Sequence, residues 1–324
     1  MKQLLRLVFS ALAVFLLSYS MASAKAALKV HVSILPQKYF VQRITGDLAK
    51  VDVLIQPGKS PATYSPTPAQ IKSLCQADLY FRIGVPFENG FLYKIKDIAK
   101  NIKIVDCRRG IPIRTMQAHM HEENMHEQED VHGAKHHEAE DHGHEDAHGA
   151  KHHEGEDHKH TGKDPHTWMS PPLVKIQAGT ILEALIALDP SNREIYRKNY
   201  RSFIRDLDDL DTRLTRILSP FKGETLFVFH PVFGYFADAY GMHQVAVESM
   251  GKSPRGKALS AIIKLAKKRK TRVIFVQPQF DRNTAQKIAS AIGGHVVSMD
   301  PLAYDYLANM ETMAKSVARS ITPQ

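Results

Sequence analysis

Imidazoles and carboxylates, the side chains best suited to holding transition metals, are concentrated in one stretch of this chain. Residues 119–160 carry 13 of the 18 histidines, 13 acidic residues and three lysines, a net charge of −10 with neutral imidazoles. At neutral pH such a run offers many weak sites for Zn, Cu, Ni or Co and little selectivity among them. His136, His137, His142, His144, His148, His152, His153, His158 and His160 are its expected auxiliary metal donors. The run contains a repeat: His132-Gly133-Ala134-Lys135-His136-His137-Glu138 recurs as His148-Gly149-Ala150-Lys151-His152-His153-Glu154. With almost no apolar residues it cannot repay the entropy of ordering, so residues 116–162 are expected to form a disordered acidic insertion. His144-Glu145-Asp146-Ala147-His148 matches the H-E-x-x-H pattern of zinc peptidases, which works only on a helix. Flanked by Gly143 and Gly149, it reads as a coincidence of composition.

Three residues outside the insertion occupy more specific positions. His230 directly follows the apolar run Leu226 to Phe229, and Asp300 follows Val296 to Met299. In open parallel sheets ligands gather beyond the carboxyl ends of strands, so both point to one kind of place. His166, in Asp164-Pro165-His166-Thr167-Trp168, leaves the insertion just ahead of a helix. The single Trp, Trp168, is expected to pack beside this site rather than touch a metal.

The elements that must position them follow from periodicity. Short β-rich runs alternate with helical periods, which predicts an α/β fold with mainly parallel sheets. Strands are expected at Val30 to Leu35, Val51 to Ile55, Ala77 to Ile83 and Ile102 to Val105, then at Leu226 to Phe229, His243 to Val247, Val273 to Val276 and Val296 to Met299. Helices are expected at Lys38 to Thr45, Pro68 to Cys75, Ala258 to Arg269 and Asn283 to Ile292. Ile195, Phe203, Leu207, Leu210, Leu214 and Ile217 recur at helical spacing between Pro190-Ser191 and Ser219-Pro220. They predict one helix of about 28 residues, roughly 42 Å long, acting as a stiff connector. The resulting plan is an N-terminal α/β domain over 25–190 that carries the insertion, a linker helix over 191–219, and a C-terminal α/β domain over 220–324. At 324 residues the chain is long enough for two domains.

Lys2 and Arg6, an apolar run from Leu7 to Leu17 and the small-residue site Ala22-Ser23-Ala24 form a secretory signal peptide. The run is too short to span a membrane, no Cys follows the cleavage site to accept lipid, and no later segment reads as a span. A soluble, exported monomer without a lipid anchor is expected. Although the chain carries a net +9, the basic run Lys264, Lys267, Lys268, Arg269 and Lys270 ends a helix, where positive charge suits the dipole, so no nucleic-acid partner is expected. Cys75 and Cys107 are free to form a disulfide or to remain two ordinary thiols.

Taken together, these pieces resemble the zinc-binding periplasmic solute-binding proteins of ABC importers. The matching segments are Ile34-Leu35-Pro36 with Tyr39-Phe40-Val41, Pro57-Gly58-Lys59-Ser60-Pro61, Asp164-Pro165-His166-Thr167-Trp168, His230-Pro231-Val232-Phe233-Gly234-Tyr235-Phe236, Val276-Gln277-Pro278-Gln279-Phe280 and Met299-Asp300-Pro301-Leu302. Zinc-type members also carry a His-rich acidic insertion before the Asp-Pro-His motif. The resemblance implies two α/β domains joined by a long rigid helix, a metal in the interdomain cleft, and ligand roles for His166, His230 and Asp300, with Asp305 as substitute for the last. One departure stands out: the family's first ligand is a His where this chain has Ala62. Water or a His from the insertion is then left to complete the shell, with His31 and His243 weaker alternatives.

The expected function is capture of periplasmic Zn2+, or a related divalent metal, and its delivery to the permease of an ABC transporter. The insertion would collect metal weakly, the cleft would hold it tightly, and docking on the permease would release it through a small domain movement. A metal buffer acting mainly through the insertion is the alternative. A hydrolase that activates water at the open coordination position would need a general base, for which Glu248 is the candidate.

Overall fold

The computed structural model describes residues 27–116, 162–248, 253–280 and 282–321. The expected signal peptide, the interior of the insertion and the auxiliary histidines named above therefore lie outside the described residues. In the N-terminal half, β1 (Leu28–Val32), β2 (Ala49–Val53), β3 (Leu79–Arg82) and β4 (Lys103–Asp106) form a parallel sheet in the order β2-β1-β3-β4. In the C-terminal half, β5 (Thr225–Val228), β6 (His243–Ala246), β7 (Val273–Val276) and β8 (His295–Ser298) repeat that order as β6-β5-β7-β8, again all parallel. The two halves are thus two parallel-sheet α/β units of the same topology.

Helices α1 (Leu35–Thr45), α2 (Pro68–Cys75) and α3 (Pro86–Ile98) connect the first four strands. After the insertion come α4 (Pro171–Leu188) and α5 (Arg193–Leu218); α6 (Gly234–Ala239), α7 (Gly256–Lys268), α8 (Arg282–Ala291) and α9 (Tyr306–Ile321) complete the second half. α2 begins where the sequence dictates: the Thr67 hydroxyl accepts from the Gln70 N–H, and Pro68 occupies the first turn, where its missing N–H costs nothing.

The 26-residue α5 is more than a connector. Tyr196, Phe203, Leu207, Leu210, Leu214 and Leu218 are all fully buried, and one continuous core runs from the first sheet across this face into the second half. Each such side chain stabilises the fold by about 1.5–3 kcal/mol over leaving it exposed. Ion pairs flank the stripe, Arg43 of α1 with Asp206 near its middle and Arg213 with Glu311 of α9 nearer its C-terminal end. The expected stripe slips by one residue at each end. Ile195 is 47% exposed while Tyr196 turns inward, its hydroxyl donating to Asp189 at 2.8 Å, and Leu218 is buried more deeply than Ile217.

α4 corrects another expectation, since by length and composition it is apolar enough to cross a membrane. Its Val174, Ala178, Ile181 and Leu185 instead belong to the continuous core that α5 crosses. Both cysteines are free, Cys107 fully buried with its thiol pushed up by that burial, so of the two readings the unbridged one holds.

Candidate metal centre

Parallel register brings the first imidazole to its place. β5 and β6 pair Thr225 with His243 and Val228 with Ala246. The ladder continues past the strand ends, with the Glu248 N–H donating to the Phe229 carbonyl at 2.9 Å. His230 and Glu248 are thereby side by side, and the His230 Nδ1 lies 2.5 Å from the Glu248 carboxylate. Gln277, in the loop after β7, clamps the His230 backbone: its Oε1 accepts from the His230 N–H (3.2 Å) and its Nε2 donates to the His230 carbonyl (3.1 Å). The ring stacks on Phe280 at 4.8 Å. Burial holds the His230 imidazole below its ordinary pKa, against the opposing pull of the Glu248 hydrogen bond.

His166 is fixed locally. Asp164 accepts from the His166 N–H at 3.0 Å, an Asx turn, and the same oxygen lies 2.7 Å from His166 Nδ1. Trp168 packs edge-on against the ring and donates its indole N–H across the cleft to the Pro301 carbonyl at 2.9 Å, so it sits beside the site as expected. The two imidazoles approach edge to face with centroids 5.3 Å apart. Each has its Nδ1 engaged by a buried carboxylate, which orients the ring and leaves Nε2 as the free donor. This is the carboxylate–histidine arrangement characteristic of metal-ligating His.

Both rings line a narrow cleft between the halves, whose walls include Ala62, Val85, Phe280 and Leu302. Ala62 is exposed on the loop between β2 and α2, where Gly58 takes a positive φ of 76° to close the turn that precedes it. Asp300 is held apart from the imidazoles: its Oδ1 accepts from the Leu302 N–H and the Gln279 side chain, and it lines an adjoining cavity with Gly58 and Gln279. Among the described residues, no three His, Cys, Asp or Glu side chains gather closely enough to hold an ion.

The other candidates lie elsewhere. Asp305 accepts from the Ala308 N–H at the start of α9, and His243 is exposed on β6. His31 is buried in β1 with Nε2 on the Ser73 hydroxyl. Glu248 does not fit a hydrolytic base, since its carboxylate backs the His230 ring and is not part of the cleft lining. Sequence reasoning did not assign roles to Asp164 and Gln277, although both stand in motifs it singled out. The Glu248 role emerges only with the register: an offset of 18 between β5 and β6 pairs residue 230 with 248, whereas the expected strand starts at 226 and 243 differ by 17.

A family model described as ZnuA, zinc-uptake complex component A, periplasmic, matches residues 30–320. The high-affinity zinc uptake system protein ZnuA of Haemophilus influenzae is 31% identical over 315 residues, 93% of this chain and 92% of that protein. Its counterpart in Bacillus subtilis is 27% identical, covering 85% of this chain and 79% of its own length. A crystal structure of ZnuA superposes with a TM-score of 0.76 at 33% identity over 91% of this chain and 100% of that one. A zinc-bound ZnuA deletion mutant gives the same score and identity over 92% and 99%.

Proposed function

This chain belongs to the periplasmic zinc-uptake component A family, and from that premise we propose that His166, His230 and Asp300 hold its cargo. The protein is a zinc-binding solute-binding component of an uptake system that works with an ABC permease. Supporting the ligand assignment is the pairing of two imidazoles across one cleft, each with Nδ1 on a buried carboxylate and Nε2 left for the ion. Two nitrogens and one carboxylate oxygen match the donor types zinc prefers. Asp300 completes the set when the cleft closes on the ion, with Gln279, which lines both cavities, holding its Oδ1 during the approach.

In the family pattern Ala62 stands at the position of a fourth ligand, so water fills that corner of the tetrahedron. The bound ion stays more accessible from that side, which suits handover to a permease. The protein performs no covalent chemistry and acts as a monomer, exported by residues 1–24 and free of lipid. Isothermal titration with zinc tests this reading. The wild type is expected to show a tight site that His230→Ala abolishes and Asp300→Ala weakens by tenfold or more, about 1.4 kcal/mol. Retention of full affinity in His230→Ala overturns the assignment.

A further inference from the structure

The acidic insertion is rooted beside the metal centre, and one arginine at that root joins it to His166. Thr115 and Lys163 form an antiparallel bridge, flanked by the Met116 N–H to Gly162 carbonyl bond (2.8 Å) and the Asp164 N–H to Arg114 carbonyl bond (2.9 Å). The Asp164 side chain is 1% exposed. One of its oxygens serves His166; the other lies 3.9 Å from Arg114 Nε. A carboxylate buried to this extent needs a countercharge to keep its charge and its geometry.

The C-terminal half builds the seat for that countercharge. The Arg114 guanidinium lies over the Tyr235 ring at 5.7 Å and 3.5 Å from the more exposed Asp238 carboxylate. The Tyr235 hydroxyl accepts from the Arg114 N–H at 3.0 Å and donates to the Asp164 carbonyl at 3.1 Å. Gly234 leaves the space: a Cβ there would overlap the guanidinium and lie 3.0 Å from the Asp164 carboxylate. Gly234 and Tyr235 open α6, four and five residues beyond His230, so the seat belongs to the loop that carries the other imidazole.

We propose that Arg114, seated on Gly234 and Tyr235, is a positioning residue for metal binding. It fixes the Asp164 carboxylate that aims His166 at the ion, and it locks the ligand loops of the two halves to each other through the root of the insertion. The inference rests on the His166 and His230 reading of the site. It does not involve the insertion's own histidines, and Arg114 does not touch the ion.

The test measures zinc affinity with a competing chromophoric chelator, the Co2+ d–d spectrum and the metal-free melting temperature of the full chain. The variants are Arg114→Leu, Arg114→Lys, Tyr235→Phe and His230→Ala. Removing a partner behind a metal ligand typically costs 10–100-fold in affinity. Arg114→Leu is expected to lose about that much and to shift the Co2+ spectrum, Arg114→Lys to recover part of the loss, and Tyr235→Phe to fall between Arg114→Leu and the wild type. Should Arg114→Leu fail to fold, Tyr235→Phe and Arg114→Lys carry the test. Wild-type affinity and an unchanged Co2+ spectrum in Arg114→Leu, or in Tyr235→Phe if that protein alone folds, overturn the proposal, whatever happens to the melting temperature. His230→Ala separates the two failures: if it also binds normally, the site reading falls, and if it loses binding, only the Arg114 role does.

Discussion

Replacing Glu248 by Gln isolates the contribution of charge behind the His230 imidazole. The His230 Nδ1 to Glu248 separation is 2.5 Å, and the glutamate side chain is 2% exposed, so solvent screens this pair little. Coordination at Nε2 withdraws electron density from the ring and makes Nδ1–H a stronger donor. The carboxylate therefore gains more from the loaded state than from the empty one. A hydrogen bond to a charged group contributes about 1.5–3 kcal/mol against about 0.5–1.5 kcal/mol for a neutral one. A glutamine oxygen can still accept from Nδ1, which preserves ring orientation and removes only the charge. The expected loss is 10–100-fold in zinc affinity, about 1.4–2.7 kcal/mol. Chelator competition at pH 7.4 reads the affinity, and thermal unfolding of the metal-free protein verifies that the variant is folded. A folded Glu248→Gln protein that binds zinc within twofold of wild type refutes the reasoning. A general base would give another signature, unchanged affinity with loss of any esterase or phosphatase turnover.

Three further outcomes are expected. Ala62→His should tighten zinc binding by at least about tenfold, since Ala62 is exposed on the cleft wall and a third imidazole replaces water as the fourth ligand; equal or weaker binding by titration calorimetry would show that the loop cannot present it. Deletion of residues 119–160 should lower the number of zinc ions bound while leaving one tight site, and loss of that site would favour the buffer alternative. Burial holds His31 below its ordinary value of 6.5, opposed by Asp52 and reinforced by Lys50. The unfolded chain then takes up the proton first, so metal-free stability is full above pH 6.5 and declines as the pH falls below it. His31→Gln should narrow the stability difference between pH 7.5 and 5.5 in urea unfolding, and an unchanged difference would place the acid sensitivity elsewhere.

The sheets were legible because parallel strands buried on both faces read as apolar runs. Val273–Val276 matches its expected bounds, all four residues being buried. β1 ends three residues and β2 two residues before expected, at Val32 and Val53, because the buried Ile34, Leu54 and Ile55 extend the apolar run beyond the ladder. The proposed ligands stand at strand ends and in motifs that local reading singles out. Their supports were less legible: Arg114 and Tyr235 are 121 positions apart, and no local pattern announces a contact of that separation.

The bridge between Thr115 and Lys163 has a consequence for how this protein can change over time. Two neighbouring residues serve as the fixed ends of everything from 117 to 161. For a connecting segment the closure cost grows only logarithmically, roughly 0.6 kcal/mol for each doubling of length. Adding or removing copies of the His-Gly-Ala-Lys unit therefore scarcely taxes the fold. The length of the His-rich repeat and the architecture of the cleft are separable traits, and selection can adjust the first by slippage of a repeated sequence without touching a buried residue.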